Sequence, residues 1–376
     1  MSKDEKKKIR ADFRKNRLPR TRPTNLTRAF QQQDPDAEEA PHGERVSGKG
    51  ALTRKRTIIG AASTSDETGF AVQLDVDESG GLRGRVLAVH GLTSTVQTAD
   101  GTLYECATRR LLKTLSTDLR QVVVAGDRVF FRREGEREGI IELVEPRRGM
   151  LSRTSRGRQH AIVANVDQML IVASAAQPDL KPNLIDRFLV TAEKSRIRPV
   201  LCINKIDLVQ VADLQPLIGV YGQMGYQIVL LSMATGFGVE RIRRVLTGQQ
   251  SVIVGQSGVG KSSILNAVEV QLDLRVGEIS EENEKGTHTT TTARLLPLSI
   301  GGYVVDTPGI RQFQLWDVIP EEVAGYYRDL RPYVNLCRFP NCTHTHESRC
   351  AVKDAVADGR LDARRYESYC HLFSGE

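Results

Sequence analysis

The sequence predicts a three-part α/β protein: a small antiparallel β-barrel, a domain built on a parallel sheet with helices on both faces, and a short helical module around clustered cysteines. Three observations predict it. Five strand-like segments lie between residues 82 and 144, separated by turn signals such as Ala99-Asp100-Gly101 and Ala125-Gly126-Asp127. Continuous apolar runs at 168–173, 200–203, 228–231, 251–254 and 303–305 then alternate with helical periodicity, the rhythm of buried parallel strands. Lastly, three of the six cysteines crowd between positions 337 and 350.

Residues 1–80 come first and carry little apolar patterning. Eleven Lys/Arg against three acids give residues 1–30 a net charge of +8, while the whole chain carries +7. Such a detached basic arm suits nucleic-acid phosphates. With few aromatics and no periodicity, residues 1–80 are expected to be a largely disordered basic extension. No apolar run approaches the roughly 20 residues of a membrane span, and no hydrophobic stretch follows the first basic residues. The expectation is a cytoplasmic protein without a membrane, where clustered cysteines favour a metal over disulfides.

Residues 81–150 form the expected barrel, whose size and five strands suit an OB-fold. Arg83, Arg85, Arg109, Arg110, Lys113, Arg120, Arg128, Arg132, Arg133, Arg147 and Arg148 are spread across it. Guanidinium forks match phosphate oxygens, so RNA binding is expected here. After a linker over 147–159 comes the parallel-sheet domain, residues 160–318, with Asn183 expected to cap a helix that turns Leu184, Ile185, Phe188, Leu189 and Ala192 inward.

That domain carries its chemistry in four stretches. Residues 255–263, Gly-Gln-Ser-Gly-Val-Gly-Lys-Ser-Ser, follow an apolar run and fit the G-x-x-x-x-G-K-[ST] phosphate loop. Gly255, Gly258 and Gly260 let the backbone curl, so amides along Gln256, Ser257 and Val259 point at a polyphosphate before a helix start at Lys261, Ser262 and Ser263. Lys261 is expected to reach the β/γ oxygens and Ser262 to bind Mg²⁺. Upstream, the run at 200–203 ends in Asn204-Lys205-Ile206-Asp207. Asp207 can accept from N1–H and the exocyclic amine of guanine, a donor pair adenine lacks; Asn204 can bond the other edge and the Lys205 stem can lie over the ring. Ser232-Met233-Ala234 ends the next strand, with the Ala234 amide placed to back the base. The polar stretch 285–292 is expected to be a switch, with Thr290 as a Mg²⁺ ligand and Thr289 close behind. In Asp306-Thr307-Pro308-Gly309, Asp306 would hold Mg²⁺ through water and the Gly309 amide would sense the γ-phosphate.

These are GTPase elements in an unusual order, because the base motif precedes the phosphate loop by about fifty residues. Circular permutation of a sheet with neighbouring termini preserves such a site. It also sends the chain from the second switch directly into the C-terminal module, residues 319–376. There Cys337, Cys342 and Cys350, with His344 or His346, offer four donors to a closed structural Zn²⁺. Helical periodicity flanks them at 321–330 and 351–373.

A barrel, then Asn-Lys-x-Asp, phosphate loop, switch and Asp-x-x-Gly in that order, then C-x4-C-x-H-x5-C, resembles the small ribosomal subunit biogenesis GTPase family (RsgA, also called YjeQ), over about residues 82–373. Matching stretches include 165–168, 185–187, 204–208, 255–266, 288–291 and 306–309. The resemblance implies a cytoplasmic GTPase that binds the small ribosomal subunit and its rRNA late in maturation, is stimulated by it and leaves after hydrolysis; a monomer is expected. It implies His344 as the fourth zinc ligand. It also implies His288 as the residue that positions water, since Ile310 follows Gly309 where a Ras-like enzyme has glutamine. Thr287 departs from the family, which commonly has a basic or amide residue there. The alternative is an RNA-binding switch that acts by binding GTP with little catalysis; an ATPase is disfavoured by Asp207.

Overall fold

The computed structural model describes residues 7–12, 55–62, 72–74, 80–109, 122–155, 158–269, 293–306 and 318–375. The chain divides into two units, residues 1–79 with 110–117, and residues 80–109 with 118–376. In the first, β1 (Lys7–Asp12), β2 (Lys55–Ala62) and β3 (Val72–Leu74) form an antiparallel sheet in which Ile9 is in register with Ile58. These strands lie within the stretch expected to be disordered. Thr57-Ile58-Ile59 is a β-branched run that average composition over eighty residues dilutes.

The second unit opens with the barrel: β4 (Gly81–His90), β5 (Thr93–Thr98), β6 (Leu103–Thr108), β7 (Arg128–Arg133) and β8 (Glu138–Val144). Their order is β4-β5-β6-β8-β7, closed by β4–β7 pairing, with β6 and β8 parallel. Strand alternation turns Val86, Val96, Cys106, Val129, Phe131 and Ile141 inward, all fully buried. A hairpin, β9 (Leu151–Ser155) and β10 (Arg158–Val163), leads out.

The parallel-sheet domain follows, with β11 (Gln168–Ser174), α1 (Pro182–Lys194), β12 (Arg198–Asn204), α2 (Gln215–Gln223), β13 (Gln227–Leu230), α3 (Val239–Leu246), β14 (Gln250–Val254), α4 (Lys261–Val268), β15 (Arg294–Pro297) and β16 (Tyr303–Asp306). The sheet order is β13-β12-β11-β14-β16-β15, parallel except for β15. Alternate side chains face opposite layers. Met169 and Ile171 of β11 pack with Phe188, Leu189 and Tyr221 under α1 and α2. Leu170 and Val172 pack with Ile242, Leu246, Ile264 and Leu265 under α3 and α4. Burial on both faces explains the unbroken apolar runs. Helix α1 starts one residue before Asn183: Pro182 occupies the first turn and Lys181 is the N-cap, without a side-chain cap bond. Proline there has φ already set and no amide to satisfy, so it outcompetes the asparagine cap.

The C-terminal module contains α5 (Pro320–Tyr326), α6 (Arg331–Val334), α7 (Ala351–Ala357) and α8 (Ala363–Ser374). Asp362 caps α8, accepting from the Arg364 and Arg365 amides at 3.0 and 3.3 Å. A buried ion network docks the module on α1. Arg365, 3% exposed, forks onto Asp329 at 2.9 and 3.0 Å and donates to Asp186, which also accepts from the Tyr221 hydroxyl at 2.7 Å. The guanidinium lies 4.3 Å from the Tyr327 ring centroid. Arg365→Met would strand the buried Asp186 carboxylate and the half-buried Asp329 carboxylate, and is expected to cost about 3–5 kcal/mol in urea unfolding. A loss under about 1 kcal/mol, the value of an exposed pair, would contradict this account.

Candidate functional site

The phosphate-loop stretch runs from the end of β14 into α4, and its glycines are sterically required. Gly255 has φ 144° and a Cβ there would meet the Val172 carbonyl oxygen at 2.1 Å; Gly260 has φ 95° and its Cβ would meet Asn204 Nδ2 at 2.3 Å. Lys261 Nζ donates to the Gly255 and Gln256 carbonyls at 2.9 and 2.8 Å, which places the ammonium within the loop's own curl. Ser262, 9% exposed, lies in the first turn of α4, where backbone amides have no partner within the helix.

The base side is assembled on the same edge of the sheet. Asn204 ends β12, is 1% exposed, and donates from Nδ2 to the Val259 carbonyl at 2.9 Å, joining the base motif to the phosphate loop. Its Oδ1 is buried and has no hydrogen-bond partner among the described residues. Lys205 is held in the left-handed region (φ 60°), and its Nζ donates to Gly258 O at 2.8 Å and to Gln177 O. Asp207 is exposed and accepts from the Ser232 hydroxyl, which in turn accepts from the Thr235 amide at 3.2 Å. Ala234 is exposed in a turn closed by Ser232 N–H on Phe237 O at 3.0 Å, and the Ile206 amide bonds Leu231 O at 3.3 Å. Gln177 and Pro178 form part of this wall and escaped the sequence reading; Pro178 Cδ lies 3.7 Å from where a Gly258 Cβ would be. The available signal was their place just after a parallel strand's C-terminal end, where such sheets bind ligands.

Asp306 ends β16, which pairs in parallel with β14 through Val252 and Val305, so its carboxylate emerges at the same sheet edge as the phosphate loop. The switch residues Thr287, His288, Thr289 and Thr290, and Gly309 and Ile310, lie outside the described residues. Arg110, Lys113 and Arg120 do too. Of the other barrel-region arginines, Arg83, Arg109, Arg128, Arg132, Arg133 and Arg148 are exposed. Two turn inward instead. Arg147 forks onto fully buried Asp127 at 2.7 and 2.8 Å, and Arg85 faces the parallel sheet. These two are therefore removed from the set expected to meet phosphates.

Cys337, Cys342, His344 and Cys350 bring their donor atoms within 4.8 Å of one another. Around a tetrahedral zinc with bonds of about 2.3 Å to sulfur and 2.0 Å to nitrogen, sulfurs stand about 3.8 Å apart and nitrogen about 3.5 Å from sulfur. Here Cys337 Sγ and Cys350 Sγ are 3.8 Å apart, and His344 Nδ1 lies 3.3 and 3.5 Å from them. The donor set fits that ion. His344 (φ 60°) is 3% exposed, whereas the His346 side chain is 81% exposed, so His344 faces the sulfurs. The knuckle is braced from outside: Tyr369 and Tyr366 hydroxyls donate to the Thr343 and His344 carbonyls at 2.6 and 2.7 Å. Burial opposes ionisation of Glu347, but hydrogen bonds from the Thr343 hydroxyl and amide hold its carboxyl down at about 2.

Comparison with known proteins adds independent weight. Residues 144–316 match the RsgA GTPase family. The small ribosomal subunit biogenesis GTPase RsgA of Sodalis glossinidius (strain morsitans) is 38% identical over 300 residues, 77% of this chain and 84% of that protein. The crystal structure of YjeQ from Thermotoga maritima has a TM-score of 0.65 at 34% identity, covering 78% of this chain and 98% of that one. The crystal structure of YloQ, a circularly permuted GTPase, gives 0.62 at 27% identity over 79% and 95%. With its base motif on β12, its phosphate loop after β14 and a closed five-stranded barrel ahead of both, the chain belongs to the RsgA GTPase family.

Proposed function

We propose that this chain is a Mg²⁺-dependent GTPase that acts on the small ribosomal subunit during its late maturation, through contacts with rRNA. The observation that carries the nucleotide reading is the junction of base and phosphate elements: Asn204 bridges to Val259 while Asp207, backed by Ser232, stands exposed at the same edge. Asp207 supplies the acceptor that selects guanine, and Lys205 is pre-aligned by Gly258 and Gln177 to cover the ring. Gly255, Gln256, Ser257, Gly258, Val259 and Gly260 present amides to the phosphates, Lys261 neutralises the β/γ oxygens, and Ser263 completes the stretch. Ser262, Asp306 and, from the switch, Thr290 would hold the Mg²⁺, which when bound neutralises phosphate charge. His288 is assigned to orient water and Gly309 to sense the γ-phosphate, both on the family resemblance. The C-terminal cluster would hold one structural Zn²⁺, since four protein donors leave no position for substrate.

The subunit partner rests on the relatives' names and on the exposed barrel arginines, whose forks suit phosphate contacts. A monomer in the cytoplasm accompanies this reading. Among the described residues no helix is long and apolar enough to cross a membrane. The test is GTP turnover with and without purified small subunits at fixed salt, with ATP as competitor substrate. Equal use of ATP and GTP, together with indifference to subunits, would sink the proposal. Asp207→Asn should weaken GTP binding by about 10- to 100-fold, the loss of a charged hydrogen bond to the base, and should raise affinity for xanthosine triphosphate, whose 2-oxo group accepts from the new amide. Unchanged base preference would remove Asp207 from the role.

A further inference from the structure

Among the described residues, Arg85 is the barrel arginine that faces the parallel sheet, and its surroundings are specific. Arg85 and Gln97 are register neighbours on β4 and β5, while Gln250 and Tyr303 are register neighbours on β14 and β16. The four side chains close a square between the two parts of the fold. Arg85 Nη1 donates to Gln250 Oε1 at 3.1 Å, its guanidinium carbon lies 4.6 Å from the Tyr303 ring centroid, and the Tyr303 hydroxyl donates to Gln97 Oε1 at 2.9 Å. Gln250 is 1% exposed and further anchored, with Nε2 on Ala164 O at 2.7 Å and its amide on Asp167 Oδ2 at 2.8 Å.

Their positions along the strands matter most. Gln250 is the first residue of β14, whose last residue, Val254, precedes the phosphate loop; Tyr303 is the first residue of β16, whose last residue is Asp306. The barrel therefore holds the far ends of both strands that deliver phosphate and metal groups, at a distance of roughly 10–13 Å for strands of this length. A third tie runs through the backbone: Arg294 of β15 pairs with Ala88 of β4 on one side and Asp306 on the other. A close-packed sheet passes on a displacement of its edge instead of absorbing it.

We propose that Arg85 and Tyr303 are positioning residues for stimulated hydrolysis: through the Arg85–Gln250 and Tyr303–Gln97 hydrogen bonds they carry the displacement of an RNA-loaded barrel into β14 and β16, and so set the phosphate loop against Asp306. The inference rests on the reading that small subunits stimulate turnover. To test it, GTP turnover of the wild type, Arg85→Met, Arg85→Lys and Tyr303→Phe is measured with and without purified small subunits at fixed salt. Nucleotide affinity, co-sedimentation with subunits and thermal unfolding are measured alongside. Stimulated turnover should fall about fivefold or more in Arg85→Met and Tyr303→Phe, the range of an ordinary coupling between sites, with unstimulated turnover, affinity and co-sedimentation within about twofold of wild type. Arg85→Lys, which keeps charge over the ring, should recover part of the loss. Wild-type stimulation in both variants, or a loss that merely tracks weaker co-sedimentation or slower unstimulated turnover, overturns the inference. If Arg85→Met does not fold, Tyr303→Phe decides by the same criteria, because it removes one hydroxyl and keeps the ring. A wild type that ignores subunits overturns the functional reading and the inference together, which is distinct from a stimulated wild type with equally stimulated variants.

Discussion

Lys261→Ala is expected to lower GTP turnover by about 10²–10³-fold, the usual loss when one aligned electrostatic donor is removed from a site where charge develops. The side chain already lies within the curl of the loop, bonded to the Gly255 and Gln256 carbonyls, so it needs little rearrangement to meet phosphate oxygens. Alanine is a strong helix former and Lys261 opens α4, so the change should not unfold the domain. Single-turnover hydrolysis and nucleotide affinity, measured together, separate a lost charge in the reaction from lost binding. Turnover within about threefold of wild type would exclude an electrostatic role of that size.

Withdrawing the proposed zinc is expected to collapse the C-terminal module. Structural zinc contributes about 10–16 kcal/mol of apparent binding energy in small zinc-dependent folds, which equals or exceeds the stability of most whole domains. The helices here are short, seven, four, seven and twelve residues, and helices of that length do not stand alone. Their core, including Tyr327, Leu330, Val352, Leu361, Tyr369 and Leu372, gathers around Cys350. Chelation, or Cys350→Ala, should abolish metal content by mass spectrometry, weaken the near-ultraviolet signal of Tyr366 and Tyr369, and open α7 and α8 to protease. His346→Ala should retain metal, because that side chain is exposed, while His344→Ala should lose it. A metal-free module with unchanged protease resistance would show that packing on α1 through Arg365 suffices.

Much of the architecture was legible because its signals are short-range. Alternation in β5 and β6 marks barrel strands, and a seven-residue run buried throughout marks β11. The loop from Gly255 to Lys261 is readable since only glycine tolerates the contacts with Val172 and Asn204. Other features were invisible for an equally physical reason. Nothing local separates Arg85 and Arg147 from their exposed neighbours, and nothing near Asp186 announces Arg365. Similarly, two histidines two positions apart are equivalent until the backbone at His344 turns left-handed and points one ring inward.

The sequence by itself determined which chemical groups the chain carries and in what order: an arginine-rich barrel, a guanine motif ahead of its phosphate loop, and a four-donor cluster. Motif spacing and strand periodicity depend on residues only a few positions apart, so the string of letters contains them. The tertiary structure alone decided which arginines meet solvent, which histidine meets sulfur, and how the three parts hold one another. Those outcomes depend on contacts between residues 165 apart at Arg85–Gln250 and 179 apart at Arg365–Asp186. Only the closing of the sheets brings such residues together, and the burial that follows makes each pairing obligatory.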